Sequence, residues 1–178
     1  MASVLPESSL RTAQIKHWTP DSFSMLRASL KGNHLKQNHK YCQLWIDGDL
    51  WMSDTRDEMV ANMPVARAKG NVLIVGLGLG MALHRVLQNK DVAHVDVIEK
   101  NSDVAQLVWP YVGVTDPRAN LILQDAKKFP TKTPLKRYDF IWLDIWLSNP
   151  EPREVTALRK LYRPFLKRGG FMGQWEGN

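Results

Sequence analysis

The segment Val72-Leu73-Ile74-Val75-Gly76-Leu77-Gly78-Leu79-Gly80 constrains this chain more than any other. Four apolar residues, mostly β-branched, read as a short buried strand. Alternating glycines follow, and then a helical stretch over 79–89 with Leu83, Val86 and Leu87 on one face. Strand, glycine turn and helix make one unit of a parallel sheet. Glycine lets the backbone approach a ligand closely, and the helix start offers free N–H groups. In an open parallel sheet that point lies outside the carboxyl ends of the strands, where ligands bind.

The rest of the chain repeats this alternation. Strands are expected over 94–99, 120–124 and 138–143, and a last one over Phe171–Trp175. Asn101 or Ser102 caps a helix that ends near Pro110. An amphipathic helix is expected over 151–168, stopped by Gly169-Gly170. Upstream, Asp47-Gly48 between apolar runs predicts a β-hairpin over about 42–53. Asp54 or Thr55 then caps a helix whose first turn carries Asp57 and Glu58, suited to the positive end of the helix dipole. Residues 1–40 show weak periodicity and are expected as short helical pieces and loop. The chain therefore divides into an N-terminal segment with hairpin, 1–53, and a ligand-binding unit, 54–178.

A length of 178 residues suits one such unit and buries enough surface to fold without disulfides or metal. The single Cys42 excludes an internal disulfide framework and a Cys-based zinc site, and no metal is expected. No run is long enough for a membrane span, and no signal pattern precedes the fold, so a cytoplasmic protein is expected. The net charge of +6 concentrates in residues 1–40, 126–137 and 151–168. Solvated faces are the better reading of those segments, with a nucleic-acid-facing surface as the sharper one.

Acidic residues stand at the ends of three successive strands. Glu99 follows Gly80 by 19 positions, Asp125 precedes Ala126, and Asp144 ends the fourth strand. All three point to one crevice. A dinucleotide fingerprint fails, because Met81 or Leu83 stands where its third small residue belongs. The pattern instead resembles the class I, Rossmann-like S-adenosylmethionine-dependent methyltransferases. That resemblance implies an α/β, doubly wound parallel sheet of five core strands in the order 3-2-1-4-5, behind the hairpin. It implies S-adenosylmethionine held by Gly76, Gly78 and Gly80, with Glu99 on the ribose and Asp125-Ala126 at the adenine.

Within that superfamily, Ile46–Glu58 is similar to the hairpin-to-helix junction of spermidine synthases. Tyr138–Asp144 resembles the strand bearing their catalytic Asp, and Asn149-Pro150 stands at their active-site Asp-Pro. Aminopropyl transferases of that family place an acid inside the glycine loop, where Leu79 stands here. They place a Gln on the hairpin strand, where Trp51 stands, and small polar residues after the catalytic Asp, where Ile145-Trp146-Leu147 stands. A neutral, aromatic site does not suit a polycation. The expected activity is therefore methyl transfer to a small-molecule acceptor, with Asp144 as the catalytic residue. Aminopropyl transfer, or a non-catalytic nucleotide-binding or assembly module, is the alternative. The final strand is expected as an exposed apolar edge, which favours a homo-oligomer.

Overall fold

A computed structural model describes residues 1, 4–30, 34–128, 136–148 and 150–176. Asn149 and residues 129–135, which include part of the basic segment 126–137, lie outside them. Two sheets organise the chain. The first is antiparallel, in the order β1(Ser8–Leu10)–β2(Ala13–Trp18)–β3(Tyr41–Ile46)–β4(Asp49–Ser53), with α1(Ser22–Leu30) between β2 and β3. The second is parallel. It comprises β5(Gly70–Val75), β6(Val92–Glu99), β7(Ala119–Leu123), β8(Tyr138–Leu143) and β9(Leu166–Gln174). Their order is β7–β6–β5–β8–β9, so the first core strand is central and the order is the 3-2-1-4-5 of the expected Rossmann-like sheet.

Burial on both faces explains the apolar strands. Val72 and Ile74 of β5 face one layer with α3(Met81–Leu87), α4(Ser102–Val112) and the first sheet. Leu73 and Val75 face the other, with Leu158 and Tyr162 of α5(Pro152–Tyr162). The hairpin turn forms as its residues dictate, with Asp47 and Gly48 both at positive φ (52° and 87°). Thr55 caps α2(Arg56–Ala61), and Asn101 caps α4 through Asp103 and Val104 N–H groups.

Three expectations are corrected. The N-terminal segment is not merely helix and loop, because β1 and β2 extend the hairpin into a four-stranded sheet. Helix α4 runs through Pro110 to Val112, since a proline in the last turn removes only one helical hydrogen bond. Helix α5 stops at Tyr162, because Pro164 lacks the N–H to continue it, and Gly169-Gly170 lies inside β9 at a register shift. Strand β9 is an edge of its sheet among the described residues, with Phe171 46% exposed.

Two polar ties hold the frame that carries the site. Asp103 of α4 accepts from Thr12 N–H (2.9 Å) and hydroxyl (2.8 Å) and from Arg11 (2.8 Å), which fastens the first sheet to the second layer. Asp96, fully buried on β6, accepts from Asn120 of β7 (2.8 Å) and the Tyr138 hydroxyl of β8 (2.8 Å), and pairs with His94 (3.1 Å). Burial alone would raise the Asp96 pKa, but these hydrogen bonds outweigh it and hold the carboxyl below its ordinary value. Asp96→Ala leaves the buried Tyr138 hydroxyl without its acceptor. We expect it to lower the unfolding free energy by on the order of 2–4 kcal/mol, measured by urea denaturation, while Asp139→Ala on β8, at a half-buried position, lowers it less.

Candidate active site

The parallel register brings the carboxyl ends of β5, β6, β7 and β8 into one row, and each ends in a residue singled out above. A cavity of about 490 Å³ runs along that row. Its far wall is the β3–β4 hairpin, through Leu44, Ile46, Trp51 and Met52. Gly76, Gly78, Glu99, Asp125, Ala126 and Asp144 all line it. Gly80 does not. It starts α3 at φ +76°, and a Cβ there would press on Val112 of α4, so its smallness serves helix packing.

Gly76 is the tightest point. At φ +106° a Cβ would run into the Asp144 carbonyl oxygen, so only glycine lets β5 turn beside β8. The Asp144 N–H in turn donates to Val75 O (2.7 Å). This contact sets the Asp144 carboxyl next to the glycine loop. Glu99 braces the loop from the other side, accepting from Leu77 N–H (3.0 Å) and Asn101 N–H (2.7 Å). Asp125 accepts from Lys127 N–H (2.9 Å), and the buried Tyr162 hydroxyl donates to Ala126 O (2.9 Å), which fixes the third turn. One end of the cavity thus carries Glu99, Asp125 and Ala126, and the other carries Asp144.

The Asp144 end holds more than the sequence suggested. Glu58, read as a helix-dipole residue, reaches from α2 into the same cavity. Asp144 keeps partial exposure to the cavity, yet protein crowds its carboxyl. That burial, with the charge of Glu58 beside it, pushes its pKa up to about 8. Burial also pushes Glu58 up to about 6, against the opposing pull of Trp175 and of the Asn62 amide 3.4 Å away. Leu79, where the resemblance places an acid, is fully buried in the core with its N–H donating to Met52 Sδ (3.2 Å). Trp51 and Trp146 line the cavity.

Residues 53–162 match the spermine/spermidine synthase domain. The chain belongs to that family. Spermine synthase of Arabidopsis thaliana is 35% identical over 118 residues, covering 62% of this chain and 32% of the relative. Spermidine synthase 2 of the same plant is 30% identical, covering 70% and 38%. The spermidine synthase of Thermotoga maritima superposes with a TM-score of 0.59 at 18% identity, covering 80% of this chain and 54% of the other. A sarcosine dimethylglycine methyltransferase candidate from Galdieria sulphuraria superposes at 0.50 and 17%, covering 65% and 42%, which is likeness of fold alone. The chain spans about a third of the length of the curated relatives named here and about half of the Thermotoga structure.

Among the described residues no helix is long and apolar enough to cross a membrane. Burial first, and the charge of Glu58 second, raise the Asp144 pKa, and the second cause can be tested by itself. Below about pH 8 Asp144 holds its proton and above it the carboxylate forms. Glu58→Gln removes one charge but not the burial. Carboxyl-carbon NMR should therefore show the Asp144 midpoint falling from about 8 while staying above an ordinary aspartate. An unmoved midpoint would mean that the two groups do not share the site.

Proposed function

We propose that this cavity is the chemical centre of an aminopropyl transferase, which uses decarboxylated S-adenosylmethionine as donor and an amine as acceptor. The observation that carries the reading is the pair Asp144 and Glu58 beside the glycine loop. Sequence alone left that end neutral and aromatic, which pointed to methyl transfer. With Glu58 in the cavity the end is anionic and suits a cationic amine. Family membership supports the same reading.

The residues divide the work. Glu99 and Asp125 would hold the ribose and adenine of the donor, with Ala126 leaving room for the ring. Gly76 and Gly78 would let its sulfonium side chain lie against the backbone. Asp144 would accept a proton from the attacking amine, and Glu58 would hold the developing ammonium. The amine nitrogen forms a bond to the aminopropyl carbon beside sulfur. The carbon–sulfur bond breaks, its electron pair stays on sulfur, and 5′-methylthioadenosine leaves. Catalysis of this in-line displacement is mostly alignment and exclusion of water, plus the proton acceptor.

A base with a pKa near 8 is poised for this task, and activity should rise with pH through that value as the carboxylate and the free amine both form. Mass spectrometry after incubation with decarboxylated S-adenosylmethionine and a panel of amines should show 5′-methylthioadenosine and an aminopropylated amine. Asp144→Asn should lower the rate by on the order of 10²–10⁴-fold. S-adenosylhomocysteine formed from S-adenosylmethionine, with no aminopropyl product, would instead establish methyl transfer.

A further inference from the structure

The acceptor end of the cavity has an unequal lining. Its acids, Asp144 and Glu58, sit together. Trp146 and Leu147, directly after Asp144, and Trp175 after β9 make its wall aromatic and aliphatic, and Trp51 on β4 lines the same cavity. Trp175 is anchored there by its N–H donating to Leu143 O (2.8 Å), one residue before Asp144. The remaining acids of the lining are engaged elsewhere. Glu99 and Asp125 hold backbone N–H groups at the opposite end, and Asp47, in the hairpin turn, lies beside Arg11, Lys100 and Asn101 after β6.

We infer that the acceptor is an amine with one cationic nitrogen on an apolar, aromatic or long-alkyl body, not a di- or polyamine. The inference rests on the amine-transfer reading above. One ammonium would be met by the Asp144–Glu58 pair. The body behind it would lie along Trp51, Trp146 and Leu147, where it leaves water. A second ammonium placed there would lose its hydration against rings that offer only cation–π attraction, since none of Trp51, Trp146 and Leu147 carries a carboxylate to pair it. Trp51 and Trp146 are thus specificity-determining residues.

The test uses the full chain with 5′-methylthioadenosine filling the donor end. Calorimetry compares phenethylamine and hexylamine with 1,6-diaminohexane. The monoamines should bind at least about tenfold more tightly, and Trp51→Gln should narrow that ratio several-fold. Trp146→Ser serves the same purpose from a half-exposed loop position, should Trp51→Gln fail to fold. Diamine binding as tight as or tighter than the monoamines overturns this inference and leaves amine transfer standing. Binding of neither class overturns both.

Discussion

The contact between the glycine turn and the backbone of Asp144 is the constraint on which the rest depends. Strands β5 and β8 run side by side to their carboxyl ends, where Gly76 turns with no room for a side chain against the Asp144 carbonyl. Because that contact is backbone on backbone, it fixes the acid relative to the loop more tightly than side-chain packing could. The neighbouring pairings then deliver Glu99 and Asp125 to the same row. A ligand lying along the row meets the Asp125, Glu99 and Asp144 strand ends in a set order.

The first sheet turns this row into a cavity. Without the hairpin the strand ends would face solvent. With it, Met52 reaches the glycine loop and Trp51 lines the cavity. The Asp103 tie to Arg11 and Thr12 keeps that wall in place. The raised pKa values of Asp144 and Glu58 are a consequence of this enclosure, since burial is the first cause of both. Two acids held in a covered site are costly unless something cationic enters, which is the electrostatic argument for an amine acceptor.

Much of this was legible in the sequence, for physical reasons. Strands buried on both faces read as continuous apolar runs, and glycines at positive φ mark the turn, so β5, β6, β8 and the hairpin stood out. The acids at strand ends follow from chain position alone. Strands β1 and β2 did not stand out because they are short and carry polar residues such as Gln14 and Lys16 on the outer face. The Gly169-Gly170 pair reads as a helix stop, but Pro164 ends the helix first and the pair serves an irregular strand. Glu58 was missed because its place in the cavity depends on how α2 lies across the sheet, which no local pattern encodes. Reading the hairpin-to-helix junction and the Asp144 strand as walls of one site was the signal that could have found it.

The central claim is that the carboxyl end of this cavity is anionic and built for a donor that brings no carboxylate of its own. S-adenosylmethionine would set its α-carboxylate toward Asp144 and Glu58, whereas the decarboxylated donor would not. The direct measurement is calorimetric titration of the chain with each donor above pH 8, where both acids are ionised. The account predicts that the decarboxylated donor binds at least about tenfold more tightly, a difference of about 1.4 kcal/mol. Equal affinities, or tighter binding of S-adenosylmethionine, would contradict it.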